Sequence, residues 1–197
     1  MDRAGHPASS GNRVPPAGAA EAIRRLREAF AWRGSGPYAD VSGWWRDPAL
    51  LASLGPLLAS LHADADPTVV LGTDARGFIT GPLSAVALGV GFIEVRKALT
   101  ETDAGEQVML RTTPPDYQDR GLTLGVRRRL LRSDQRVLFV DDWVATGGQA
   151  TAARRLVEDC GARWIGVAAI VDATEHATRR RLNVRALIRL PELQPPR

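Results

Sequence analysis

The run Arg136-Val-Leu-Phe-Val-Asp-Asp-Trp-Val-Ala-Thr-Gly-Gly-Gln149 brings two kinds of chemistry within a few residues of each other. Asp141 and Asp142 are adjacent carboxylates that can accept hydrogen bonds from hydroxyl groups. Ala145, Thr146, Gly147 and Gly148 form a loop of small residues, so that backbone N–H groups can converge on an anion without side chains in the way. The helix that follows points its positive end into the loop, and the Thr146 hydroxyl adds a donor. A phosphate cradle beside two carboxylates suits a ribose 5-phosphate. Val137–Val140, apolar on both faces, reads as a buried strand of a parallel sheet, which puts the acids, Asp142 among them, at an exposed strand end on the carboxyl rim, where open α/β sheets bind ligands.

Two other blocks repeat this logic. Leu71-Gly-Thr-Asp-Ala-Arg-Gly-Phe78 is a strand end, a short loop carrying Arg76 and a helix start, again an anion site. Gly91–Lys97 is a strand that ends in two cations, Arg96 and Lys97. Of the 26 basic residues, Lys97 alone is a lysine. A compact, flexible ammonium is not replaceable by guanidinium at a tight phosphate contact, which makes Lys97 a candidate for such a role.

The elements that must position these groups follow from periodicity. Glu21–Trp32 reads as a helix with Ile23, Leu26, Ala29 and Phe30 on one face. Asp47-Pro48 is a helix start, and Ser53–His62 lies in the helix it opens. Thr68–Leu71 reads as a strand, Phe78–Leu88 as a helix and Val90–Val95 as a strand. The stretch Lys97–Arg120 has no clean periodicity. Leu122–Val126 is a strand, Gly148–Cys160 a helix, and Trp164–Val171 and Val184–Leu190 are strands. Strands alternating with helices predict an α/β fold with a mostly parallel, doubly wound sheet.

Composition narrows the rest. The chain has 197 residues and a formal net charge of +4, enough for one α/β domain with a real core. Residues 1–18, rich in Gly, Pro, Ala and Ser, read as a disordered tail, leaving 19–197 as a single domain. Arg127–Arg129 and Arg179–Arg181 are short and read as solvated faces, so no nucleic-acid partner is expected. Cys160, the single cysteine, reads as core. His6, His62 and His176 lack metal-ligand spacing. With no membrane-spanning segment or signal peptide in the pattern, the expected location is cytoplasmic and no membrane partner is expected.

The motif at 137–149 resembles the phosphoribosyl-pyrophosphate (PRPP) motif of type I phosphoribosyltransferases. Tyr38–Ser42, Asp74–Phe78, Gly89–Lys97 and Asp119–Gly121, taken with it in order, resemble the adenine phosphoribosyltransferases of that family. The resemblance spans roughly 30–190. It implies a type I phosphoribosyltransferase-like fold with a central parallel sheet, a small N-terminal hood from about 30–46, a flexible lid over 98–118 and a homodimer. It implies transfer of the 5-phosphoribosyl group of PRPP to a nucleobase, with Mg²⁺ carried by PRPP rather than by protein side chains. Asp141 and Asp142 would hold the ribose hydroxyls, and Ala145, Thr146, Gly147, Gly148 and Gln149 the 5-phosphate. Asp74, Ala75, Arg76 and Gly77 would form a pyrophosphate loop reached by Arg96 and Lys97. Tyr38 and Ala39 would face the base, and Asp119, with Asp116 as rival, would handle its proton. Asp119, Lys97 and Arg76 are thus the catalytic candidates. The Trp residues, Trp143 among them, read as packing.

The sequence departs from the family pattern at Gln149, where a hydroxyl is usual, at Ala39 in place of an arginine, and at Arg120 in place of an aromatic. These changes leave the sugar half intact and alter the half that reads the acceptor. Two alternatives therefore stand beside nucleobase transfer: a PRPP- or nucleotide-binding regulator without turnover, and a PRPP-dependent transferase with a non-nucleobase acceptor.

Overall fold

The computed structural model describes residues 16–34, 38–97, 99, 107–113 and 121–193. Seven strands form one sheet in the order β5-β6-β4-β3-β7-β8-β9. They are β3 (Val69–Thr73), β4 (Gly91–Lys97), β5 (Val108–Thr112), β6 (Thr123–Arg127), β7 (Arg136–Val144), β8 (Arg163–Asp172) and β9 (Val184–Arg189). β4, β3, β7, β8 and β9 run parallel, and the β5–β6 hairpin closes one edge antiparallel to β4. Every residue of β3 is buried, as is most of β7 and β8, which is why these strands read as continuous apolar runs. The helices α1 (Ala19–Glu28), α3 (Pro48–Ser60) and α4 (Gly77–Leu88) cover one face; α5 (Gly148–Asp159) and α6 (His176–Leu182) cover the other. The expected α/β architecture is present, and all five parallel strands end at one rim.

Several boundaries differ from the sequence reading. The helix expected to reach Trp32 stops at Glu28, and Ala31–Arg33 forms β1, paired antiparallel with β2 (Tyr38–Asp40). Tertiary contacts override the helical pattern here: Trp32 Nε1–H donates to the Leu193 carbonyl at 3.0 Å and its ring meets Phe30 edge-on at 5.0 Å. A short helix α2 (Ser42–Arg46) follows β2. The next helix begins at Pro48, where Asp47 accepts from the N–H groups of Ala49 and Leu50 at 2.9 and 3.2 Å, an N-cap with proline in the first turn. It ends at Ser60, short of His62. Within the segment expected as a lid, Val108–Thr112 is instead an edge strand; its side chains are half-covered on both faces, so no alternation marks it. Residues 98, 100–106 and 114–120 of that region, with Asp116, Asp119 and Arg120, lie outside the described residues, as does most of the expected tail. The basic run Arg179–Arg181 lies on α6 as a helix face, but Arg179 is not solvated: its guanidinium is paired with the buried Asp172. Cys160 is buried, as expected. No described helix is long and apolar enough to cross a membrane.

His62 is fully buried between α3 and the sheet. Its Nε2 lies 3.0 Å from the Val167 carbonyl in β8, while Nδ1 has no hydrogen-bond partner among the described residues. Burial is the largest influence on its ring and pushes the pKa down to about 4, with the Val167 carbonyl opposing. The unfolded chain therefore takes up a proton below its ordinary value of 6.5 while the folded protein does not. Stability is intact above pH 6.5 and is lost as the pH falls toward 4. His62→Gln, which keeps a donor for Val167, is expected to remove most of this dependence. Urea unfolding at pH 7 and pH 5 should show the parent losing about 2 kcal/mol more than the variant over that interval. Equal losses in the two proteins would refute the assignment.

Candidate active site

The rim of the sheet holds a cleft of about 480 Å³ lined by Ala39, Thr73, Asp74, Ala75, Arg76, Lys97, Asp141, Asp142, Trp143 and Gln149. A hollow of about 100 Å³ adjoins it, formed by the loop Ala145–Gly148 with Phe139, Val144 and Ala150. Asp141, Trp143 and Gln149 line both, so the acid-lined cleft and the small-residue hollow lie side by side and share a wall. Parallel pairing explains the convergence. β3 lies between β4 and β7, which brings the ends carrying Thr73, Lys97 and Asp141 side by side.

The two acids have different surroundings. Asp142 is buried, and its Oδ2 accepts from Arg76 Nη1 at 2.8 Å. The sequence reading that treats Asp142 as an exposed strand end is corrected here: it is an ion-paired, largely covered carboxylate. Among the described residues, Asp141 has no such cation. Its Oδ1 accepts the Asp142 N–H at 2.9 Å. Burial, then the like charge of Asp142, push the Asp141 carboxyl well above the ordinary carboxylate range, with Lys97 pulling the other way. The Thr73 hydroxyl lies 3.1 Å from Gln149 Oε1 and 3.4 Å from Asp141 Oδ2, so its one proton serves either acceptor. Gln149 thereby ties the start of α5 to the end of β3 and stands as a partition between cleft and hollow.

The loop 74–77 is closed on itself. A Cβ on Gly72 would lie 2.5 Å from the Gly77 carbonyl oxygen, so only glycine lets the two ends meet. Asp74 accepts the Lys97 N–H at 3.0 Å, which fastens this loop to β4. The Asp74–Ala75 peptide is cis. Across the cleft, Gly147 adopts φ +79° and turns the chain into α5, and the Gly148 N–H donates to the Thr146 hydroxyl at 3.3 Å. The small-residue loop and the start of α5 thus line the hollow together.

Not every candidate residue faces this space. Successive strand side chains point to opposite faces. Lys97 lines the cleft, whereas Arg96 pairs with Glu94 at 2.7 Å and lies over the Phe78 ring at 5.5 Å. Ala39 is in the wall, but Tyr38 is exposed and is not among the lining residues. Asp119 and Asp116 lie outside the described residues. One lining residue was read from sequence as packing alone. Trp143 does pack, stacked on Phe30 with centroids 6.1 Å apart and edge-on to Trp32 at 6.3 Å, yet it also walls the cleft next to the acid pair. Its place directly after Asp142 was the available signal. Among the described residues, no group of three or more His, Cys, Asp or Glu side chains is arranged to hold a metal ion.

The profile of the phosphoribosyl transferase domain matches residues 46–190. Adenine phosphoribosyltransferase of Solibacter usitatus is 36% identical over 144 residues, 73% of this chain and 80% of the relative. That of Bordetella avium is 34% identical over 157 residues, 78% of this chain and 82% of the relative. Among solved structures, adenine phosphoribosyltransferase from Rhodothermus marinus superposes with a TM-score of 0.72 at 27% identity, covering 87% of this chain and 99% of that one. The Saccharomyces cerevisiae enzyme, complexed with an imino-altritol bisphosphate and adenine, gives 0.70 at 28% identity, covering 86% and 99%. The match spans the strand ends, both anion loops and the acid pair, and the chain belongs to the phosphoribosyl transferase domain family, beside the adenine phosphoribosyltransferases.

Proposed function

We propose that this phosphoribosyltransferase moves the 5-phosphoribosyl group of PRPP to a nucleobase, a purine and foremost adenine, with release of pyrophosphate. The observation that carries this reading is that the acid-lined cleft and the small-residue hollow adjoin, with Asp141, Trp143 and Gln149 lining both. A molecule bearing a phosphate at one end, ribose hydroxyls in the middle and a pyrophosphate at the other would meet a matching group at each position.

In that pose the Ala145–Gly148 loop and α5 start take the 5-phosphate, and Gln149 offers its amide in place of the usual hydroxyl. Asp141 and Asp142 accept from the ribose hydroxyls. The loop Asp74–Gly77 and Lys97 receive the pyrophosphate. A base nitrogen forms its bond to the anomeric carbon as the bond to the pyrophosphate oxygen breaks, and the electron pair leaves with pyrophosphate. The two carboxylates stabilise positive charge on the ribose as that bond breaks. Lys97 and Arg76 offset the charge developing on the leaving group. Asp119, or its rival Asp116, is the acid assigned to the base proton. Ala39 and Trp143 form the acceptor side.

The donor set fits magnesium brought in by substrate. Mg²⁺ prefers one or two carboxylates plus substrate phosphates and water to an all-protein cage, and Asp141 is a cleft carboxylate crowded by the like charge of Asp142. Magnesium would supply charge neutralisation on the pyrophosphate.

A homodimer is part of this reading. α3 and α4 contain no charged residue, and Val86 on α4 is 82% exposed, with Ile79 also exposed on that helix. A charge-free pair of helices with large exposed side chains suits a second copy of the chain. Val86→Asp is expected to shift the protein from dimer to monomer in light scattering. A parent that is monomeric at every concentration would end the dimer reading.

The activity is tested by pyrophosphate release from PRPP and Mg²⁺ with adenine, guanine, hypoxanthine, xanthine, uracil and orotate supplied singly. Purine-dependent release is expected. Release with none of them, in protein that binds PRPP, would favour the regulator. Asp141→Asn separates function from stability. Because the Asp141 carboxyl is raised, its charged form burdens the free fold as pH rises through the raised value, and this burden is absent below the ordinary carboxylate range. The variant should melt higher than the parent at pH 8, match it near pH 4, and lose about a hundredfold in turnover. A variant that is fully active would remove Asp141 from the ribose site.

A further inference from the structure

The phosphate hollow rests on a part of the chain that lines neither cavity. Gly147, the left-handed residue of the cradle, is in contact with α6: a Cβ placed there would lie 2.7 Å from Thr178 Cγ2, 3.0 Å from Leu182 Cδ1 and 3.8 Å from Thr174 Cγ2. Three side chains of the segment 174–182 thus support the glycine from behind. The carbonyl side of Gly147 is held separately. Its oxygen accepts from the N–H of Thr151 at 2.9 Å and from the Thr151 hydroxyl at 2.8 Å, and Arg181 Nη1 in turn donates to that hydroxyl at 3.3 Å. α6 therefore touches the residue that sets the loop's turn directly, and through Arg181 it also reaches Thr151, the partner of that residue's carbonyl.

What fixes α6 is Asp172. This carboxylate is 2% exposed at the end of β8, in register with Val144, the residue just before the cradle. Its Oδ1 accepts from the Thr174 N–H at 2.8 Å and from the Thr174 hydroxyl at 2.6 Å. Its Oδ2 accepts from Arg179 Nε, and Arg189 approaches the same oxygen at 3.5 Å. Arg179 Nη2 closes the ring by donating to the Thr174 carbonyl. A seven-residue helix has few intrahelical bonds to hold it in place. Here one buried carboxylate ties its entry turn, its middle and the neighbouring strand together.

We propose that Asp172 and Arg179 are positioning residues for the 5-phosphate: by locking α6 they hold Thr178 and Leu182 against Gly147, and so set where the cradle's N–H groups point. This rests on the reading of the Ala145–Gly148 loop as the 5-phosphate site. The pyrophosphate loop at 74–77 lies on β3 and α4, away from α6, and so provides an internal control.

The test compares two ligands in one protein. Asp172→Asn keeps the shape and removes the charge that holds Arg179. Thr178→Ser removes only the methyl group that supports Gly147 and leaves the ion cluster whole, so it tests the same idea in a variant with little reason to misfold. Calorimetric titration with ribose 5-phosphate and, separately, with magnesium pyrophosphate reads each subsite. Asp172→Asn is expected to weaken ribose 5-phosphate about tenfold, because displacements far from the ligand can have effects of that size or larger. Thr178→Ser should weaken it less, and magnesium pyrophosphate should stay within about twofold in both. In turnover the same variants should raise KM for PRPP more than they lower kcat. Ribose 5-phosphate affinity unchanged in both variants would overturn the proposal, as would equal weakening of the two ligands. A parent that binds pyrophosphate but not ribose 5-phosphate would remove the cradle reading itself, a failure recognisable because it needs no substitution.

Discussion

The structure depends on holding two adjacent carboxylates at the end of a buried strand. Like charges side by side in a low-dielectric rim repel, and water cannot fully screen them there. The fold resolves this unequally. Asp142 is given a guanidinium from the neighbouring strand's loop, while Asp141 is left with a backbone N–H, a threonine hydroxyl and the field of Lys97. Each of these partners comes from a different element, and parallel pairing of β3 with both β4 and β7 is what gathers them. The proposed function makes use of the less compensated carboxylate, Asp141, whose charged form the fold holds at a cost.

The same logic explains where glycines are indispensable. Gly72 and Gly77 touch across the base of one anion loop, and Gly147 turns the other under the pressure of α6. In each case a backbone must approach another chain segment more closely than a side chain allows. Aromatic residues perform the complementary task on the acceptor side. Phe30, Trp32 and Trp143 interlock, so the N-terminal hairpin is fastened to the strand that carries the acids.

Much of this was legible in the sequence, and the reasons are local. The buried strand, acid pair and small-residue loop are contiguous between 137 and 149, so their spacing is enough to expect them around one cavity, and the Asp74–Arg76 loop that the same pattern singles out lines that cavity with them. What escaped reading depended on distant partners. The strand at Ala31–Arg33 continues a helical pattern and is diverted by Trp32 reaching Leu193. The edge strand Val108–Thr112 has two half-covered faces and no period. Asp142 looked exposed because the residue that covers it, Arg76, lies far away in sequence. Arg96 and Lys97 were given one role, although neighbouring strand positions face opposite ways. Arg179 looked like a solvated charge because nothing local announces that Asp172 lies beneath it.

The closed loop between Gly72 and Gly77 has a consequence for direction. Its ends meet and Asp74 is fastened to β4 by contacts within the protein itself, so little chain entropy has to be given up when an anion arrives. A receptacle already in shape does not distinguish an arriving leaving group from a departing one. In the proposed reaction, pyrophosphate released into solution can therefore rebind this loop and compete with PRPP for it, so the same contacts serve the forward and the reverse direction, and the concentrations of reactants and products, not the loop, set the balance between them.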